Sequence, residues 1–169
     1  LWLGSYRRGS HRGAGMRTCL VDHPRIVEAA EELAAAARRL RVVPYEEKTG
    51  EGDLRYVWLR TDGERVVVTL VTASSTSRAA DLLPDELEKI SAIAWSVYPG
   101  KGNAARGREA TVLRGDASLV LELGENIQLS CGPLGFLQPN PGVAVMAYRD
   151  LVAGPTGEKI AGSLAYDLY

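Results

Sequence analysis

The sequence predicts an α+β fold with a mainly antiparallel sheet and two packed helices. Three observations carry this expectation. Residues 24–40 read as an alanine-rich amphipathic helix. Residues 54–72 read as a hairpin about Asp62-Gly63. A helix and a further strand then follow, and this strand–strand–helix–strand order groups strands rather than alternating them strictly with helices.

Taken in order, residues 1–19 carry Arg7, Arg8, Arg12 and Arg17 with no acid. Such a segment is either a solvated basic loop or a surface for phosphates, and composition does not separate the two. In the helix at 24–40, Ile26, Ala30, Leu33, Ala37 and Leu40 form one stripe, with Glu28, Glu31, Glu32, Arg38 and Arg39 facing out. Acids come early and bases late, which suits the helix dipole. The polar, glycine-containing stretch 45–53 is a loop, and Glu46, Glu47, Glu51 and Asp53 read as solvated charge. Two β-rich runs, Leu54–Arg60 and Arg65–Thr72, flank the Asp-Gly turn signal. Alternation places Tyr56 and Trp58 on one face and Val57 and Leu59 on the other. Ser74–Asp81 is a loop, after which Pro84 opens a short helix with Leu87, Ile90 and Ile93 or Ala94 inside. Trp95–Tyr98 is a strand. The basic stretch Tyr98–Asp116, with Lys101, Arg106, Arg108 and Arg114 against Glu109, is a connection between strands. Its glycines lack the Gly-Lys-Ser/Thr of a phosphate-binding loop. Leu119–Leu123 and Ile127–Ser130 are two more strands.

At 169 residues the chain can form one core and a small second lobe. A hydrophobic content of 46% with net charge −1 points to a soluble globular domain rather than a disordered one. No apolar run reaches membrane-spanning length and no signal peptide is visible. Two cysteines 112 positions apart make no disulfide framework, so a reducing cytoplasm is expected. His11, Cys19 and His23 are three metal-binding residue types without a fourth, and no metal is expected. Two histidines near the N-terminus leave little room for a His-dependent triad. The first residue is Leu, so a trimmed piece of a longer chain is expected.

The chain is organised around Cys131–Leu151. An apolar strand with Leu134, Phe136 and Leu137 enters a polar corner at Gln138 and Asn140, and Pro141 starts an amphipathic helix that Asn140 can cap. Val143, Met146, Ala147 and Leu151 fall at helical spacing and predict one buried face. Cys131 reads as a small buried hydrophobe. A strand that brings an aromatic ring and an amide to a helix mouth suits a small polar ligand.

The segment GFLQPNPGVAVMAYRDL resembles the junction between the central and catalytic domains of the RNA 5-methyluridine methyltransferases, which use S-adenosylmethionine. Phe136, Gln138, Pro139 and Asn140 occupy the pattern of that family. Tyr6–Arg12 and Cys19–Pro24 resemble its basic Gly-Ser-His-Arg segment and the following cysteine and helix. The hairpin, the skeleton Asn103, Gly107 and Gly115, and the closing Asp167-Leu168-Tyr169 also match in order.

The resemblance implies a central RNA-binding-type domain at 1–137 and, at 138–169, the first helix and strand of a Rossmann-like methyltransferase domain. It implies that Gln138 and Tyr169 contact S-adenosylmethionine, and that Phe136 stacks near a uracil flipped out of its RNA. The basic residues Arg7, Arg8, Arg12, Lys101, Arg106 and Arg108 would face the RNA, transfer or ribosomal; neither DNA nor membrane is implied. Cys19 matches one cluster ligand of iron–sulfur members, whose other three ligands have no counterpart here. In the family a cysteine attacks carbon 6 of uracil and a base removes the carbon 5 proton. Neither these residues nor the cofactor's glycine loop has a match in this sequence, so no catalytic residue is assigned. The chain alone is expected to be inactive, without bound cofactor, and either part of such an enzyme or a stand-alone RNA-binding domain.

Overall fold

The computed structural model describes residues 3–9, 13–15, 19, 21–101, 104–124, 127–138 and 140–153. Strands β1 (Gly4–Tyr6) and β2 (Gly13–Gly15) pair antiparallel. Helix α1 (Pro24–Arg39) follows, then β3 (Leu54–Thr61) and β4 (Val66–Thr72). Helix α2 (Arg78–Leu82) runs into a 3₁₀ turn at Leu83–Asp85. Then come β5 (Ala92–Val97), β6 (Thr111–Arg114), β7 (Leu119–Gly124), β8 (Ile127–Cys131) and α3 (Pro141–Ala153). The main sheet has the order β3-β4-β5-β6, and β7 pairs with β8.

The chain folds as two compact units, Leu1–Val120 with Ser130–Phe136, and Leu121–Leu129 with Leu137–Tyr169. In the first, α1 supplies Ala29, Leu33, Ala36 and Ala37 to a core shared with Val66, Val68, Leu70 and Ile93. Ile26, Ala30 and Leu40, expected in the buried stripe, are only half-buried, whereas Ala29, Ala34 and Ala36 are sealed. Apart from Leu33, the α1 side chains in this core are alanines, and the larger Ile26 and Leu40 pack at its edge. His23 caps α1, its Nδ1 accepting from the Arg25 amide at 3.3 Å.

The sheet is mixed. β3–β4 and β5–β6 are antiparallel, but β4 and β5 run parallel, joined through α2. All seven residues of β4 are buried, as a central strand covered on both faces requires.

Two expectations about the connection need correction. The sequence predicts a loop at Ser74–Asp81, yet this stretch contains the start of α2. Ser77 Oγ accepts from the Ala80 amide at 3.1 Å and donates to Asp53 Oδ2 at 2.7 Å, which also takes the Ala79 amide at 3.1 Å. Asp53 is thus a capping group, not solvated charge. Conversely, no helix runs from Pro84 through Ile93. Leu87, Ile90 and Ile93 are buried, but the first two lie in irregular chain and Ile93 is in β5. Arg114, expected in a basic connection, instead donates to the carbonyls of Pro84, Leu87 and Ile90. Glu32 on α1 accepts from the Glu88 and Lys89 amides at 3.0 Å each. Side chains therefore satisfy this backbone without helical hydrogen bonds.

The β3–β4 loop spans residues 62–65. Gly63 has φ +100°, a conformation that favours glycine. Asp62 Oδ1 accepts from the Glu64 amide at 3.0 Å and the Arg65 amide at 2.8 Å. Partial burial raises the Asp62 pKa, but these two amides and the Arg65 guanidinium outweigh it, so it lies below the ordinary aspartate value. A depressed carboxyl contributes stability that is present above its unfolded-state pKa and lost as pH falls through the folded one. Asp62→Asn should therefore lower the urea midpoint at neutral pH. Its deficit relative to the parent should shrink toward pH ~3; an equal deficit at both pH values would refute the charge contribution.

In the second unit, Asn140 caps α3 as expected, Oδ1 accepting from the Val143 amide at 3.1 Å. The expected buried face of α3 is not observed: Val143 is 59% and Met146 65% exposed, while Ala144 and Val145 are half-buried. The helical spacing holds, but apolar character alone does not supply a surface for a helix to pack on. The expected strand at Leu164–Tyr169 lies outside the described residues. Among the described residues no helix is long and apolar enough to cross a membrane.

Candidate nucleic-acid interface

Strand pairing places Val57, Leu70 and Trp95 on the α1 face of the sheet and Trp58, Thr69 and Ala94 on the other. Arg60, two residues beyond Trp58, shares Trp58's face. It is 9% exposed and has no carboxylate partner among the described residues. Its guanidinium gathers main-chain oxygens instead, donating to Gly132 at 2.6 Å, Pro133 at 2.9 Å and Gly135 at 3.2 Å. Thr69 Oγ1 donates to the same Pro133 carbonyl at 2.7 Å. Cys131 is 5% exposed, as a small hydrophobe should be, with Sγ 3.5 Å from Arg60. The turn at 132–135 is thus pinned to the sheet by polar contacts and carries Phe136 outward, 68% exposed. The apolar strand expected through Leu134–Leu137 is not there: β8 stops at Cys131, because these residues bond to side chains of β3 and β4 rather than to a neighbouring strand.

Opposite Phe136 stands the segment after β5. Arg55, on β3, has its guanidinium between the rings of Tyr45, 4.3 Å to centroid, and Tyr98, 4.6 Å. It donates to the carbonyls of Tyr98 at 2.8 Å and Gly100 at 2.7 Å, and pairs at 2.7 Å with Glu47, which stays exposed as expected. Ser96 Oγ accepts from the Gly107 amide at 3.0 Å and donates to the Glu109 carbonyl at 2.6 Å. These contacts shape an open cleft of about 1200 Å³, lined by residues that include Trp58, Trp95, Tyr98, Arg106, Arg108 and Phe136. The Arg106 guanidinium lies 5.1 Å from the Trp58 ring centroid and donates to the Leu134 carbonyl.

The cleft brings together three of the basic or aromatic residues expected from sequence: Phe136, Arg106 and Arg108. Lys101 is exposed next to Gly100 of the cleft wall. Arg7 and Arg8 are exposed just after β1, and Cys19 is half-buried. Gln138 is exposed and belongs to the second unit. Arg12, Pro139 and Tyr169 lie outside the described residues. Sequence reasoning missed Trp58 and Trp95 as cleft residues and Arg60 as the anchor of the turn. The alternation that puts Trp58 on the face away from Val57 was the available signal for the first.

In chemical terms, the cleft offers aromatic faces for flat rings and guanidinium groups for anions. Glu109 is the one carboxylate among its lining residues.

No protein-family model matches the chain. It is 27% identical over 167 residues to an uncharacterised RNA methyltransferase of Listeria innocua, covering 94% of this chain and 36% of that protein. It is 28% identical over 154 residues to one of Geobacter sulfurreducens, covering 87% and 31%. The chain thus spans about a third of the length of the curated relatives it matches. Among solved structures, the tRNA (uracil-54, C5)-methyltransferase of Pyrococcus abyssi in complex with S-adenosyl-L-homocysteine shares the fold. Its TM-score is 0.67 with 23% identity, over 83% of this chain and 35% of that one.

Proposed function

We infer that this chain, a relative of the RNA methyltransferases, serves the S-adenosylmethionine-dependent methylation of carbon 5 of uracil in RNA and supplies RNA-facing surface for it. Phe136 carries the reading. A 68% exposed phenylalanine contributes little to a core, yet the buried Arg60 fixes the turn that presents it beside Arg106 and Arg108. An aromatic face takes a base and the guanidiniums take the backbone, the pairing that unpaired RNA calls for.

When bound, S-adenosylmethionine supplies an electrophilic methyl group. Gln138 is the described residue assigned to it: exposed, with no hydrogen-bond partner among the described residues, its amide is free to meet a polar ligand. Neither cysteine suits the nucleophile, since Cys131 is sealed under the 132–135 turn and Cys19 precedes α1. The part these residues play is to bind and orient the RNA. Arg106 and Arg108 hold phosphates, and Phe136 offers a face to a base leaving its stack.

The test is transfer of labelled methyl from S-adenosylmethionine to transfer and ribosomal RNA fragments by the polypeptide that carries these residues. The product should be 5-methyluridine by nucleoside mass spectrometry; methylation of another base or atom would overturn the reading. Phe136→Ala should weaken RNA binding by about 1–3 kcal/mol with an unchanged melting midpoint. RNA binding without any transfer would instead favour a non-catalytic RNA-binding module.

A further inference from the structure

We propose that the Trp58–Arg106 wall of the cleft is a second nucleotide subsite, which stacks an unpaired base of the RNA strand other than the one assigned to Phe136. The proposal rests on the RNA reading above and extends it to a surface that the first unit provides by itself.

Volume is the first argument. Pockets for a single small ligand run from roughly 300 to 1000 Å³. At about 1200 Å³ the cleft exceeds what one base on Phe136 would fill. The second argument separates the two tryptophans that line the cleft, Trp58 and Trp95. Trp95 packs on the α1 core and donates its indole N–H to Thr72 Oγ1 at 2.7 Å, so it is committed to the fold. Trp58 is half-buried on the opposite face, and its indole N–H has no partner among the described residues. The Arg106 guanidinium meets its ring.

Charge and placement give the third argument. Arg106 and Arg108 outnumber Glu109 along this wall, and Arg108 and Lys101 have no ion-pair partner among the described residues. A stacked cation–aromatic pair beside uncommitted cations suits a base with its phosphate better than an uncharged ring. Trp58 and the Arg60 anchor of the Phe136 turn are alternate residues of one strand, about 7 Å apart along it. Trp58 and the Phe136 that Arg60 positions line one cleft, so a single RNA strand can reach both.

The test is tryptophan emission of a Trp2→Phe protein, in which Trp58 and Trp95 remain, titrated with a single-stranded oligoribonucleotide of roughly ten residues, against the same strand in a duplex. The single strand should quench the emission and the duplex should not. Trp58→Phe should remove most of the quench while keeping affinity, and Trp95→Phe should keep the quench. Trp58→Ala should weaken binding on the order of tenfold. Arg106→Gln, which leaves the ring in place, should weaken it less. Quenching that persists in Trp58→Phe would overturn the subsite, as would equal affinity for duplex and single strand. Should Trp58→Ala fail to fold, the Trp58→Phe and Arg106→Gln titrations decide alone. Because the readout is stacking and not methyl transfer, a quench together with methylation of a base other than uracil keeps the subsite and discards the methylation reading. Transfer without a quench does the reverse.

Discussion

Arg60→Met is expected to lower the thermal midpoint by about 6–12 °C and to free the turn that carries Phe136. The charge is buried, with no carboxylate partner among the described residues, and three main-chain carbonyls accept hydrogen bonds from it. Methionine fills much of the space but donates nothing. Thr69 still serves Pro133 and the Gly135 amide still serves Gly132, whereas the Gly135 carbonyl loses its donor. Hydrogen bonds from a charged group contribute roughly 1.5–3 kcal/mol, and the stranded acceptor adds to the loss, so a net cost near 3 kcal/mol is reasonable. For a chain of this size that converts to the stated shift. Hydrogen exchange should report faster exchange at 131–137 than in β4, and RNA affinity should fall with it. Arg60→Lys keeps the charge but cannot fork to three oxygens, so it should fall between the two. A parent-like midpoint in Arg60→Met would mean that the turn is held by other contacts.

The local elements were legible wherever a side-chain pattern and a backbone signal agreed. The α1 pattern came with Pro24 at its start. The β3–β4 hairpin combined β-rich runs with Asp62-Gly63. Asn140 and Pro141 marked the beginning of α3. The pattern misleads where burial and backbone conformation part company. Leu87, Ile90 and Ile93 have helical spacing and are buried, yet the chain is irregular at the first two, where Arg114 and Glu32 satisfy its polar groups, and Ile93 lies in β5. Nothing local announces that a distant arginine will do so. The parallel pairing of β4 with β5 was also hidden, since it depends on the path of the connection and not on either strand's composition.

The site was half legible for a related reason. Phe136 stood out because a lone phenylalanine precedes a polar corner. The arginines did not sort themselves. Arg55, Arg60 and Arg114 read as ordinary strand or loop cations, but each is turned inward and collects carbonyls from a loop. Arg108, similar in sequence context, lines the cleft, and Arg106 does both, lining the cleft while donating to the Leu134 carbonyl. A count of positive charges therefore overstates the surface open to phosphates, and only the fold separates structural arginines from those facing a ligand.

Gly107→Ala should cost about 3 kcal/mol and reduce oligoribonucleotide affinity together with stability. A β-carbon at this position would lie 2.1 Å from the Val97 carbonyl oxygen and 2.7 Å from Ser96 Oγ, and the first of these is backbone that cannot swing aside. The segment must lift away from β5, which breaks the Gly107 amide's bond to Ser96 and the Ser96 bond to Glu109. Two hydrogen bonds at roughly 1 kcal/mol each, plus a stranded hydroxyl at Ser96, give that magnitude. Arg106 and Arg108 flank the glycine and would be displaced with it, so binding suffers although neither residue is changed. Ser96→Ala removes the same two hydrogen bonds without any clash and should cost less, with most of the affinity retained. If the two variants lost equal stability and affinity, the close approach at Gly107 would not be what sets the cleft wall, and the serine bridge alone would account for it.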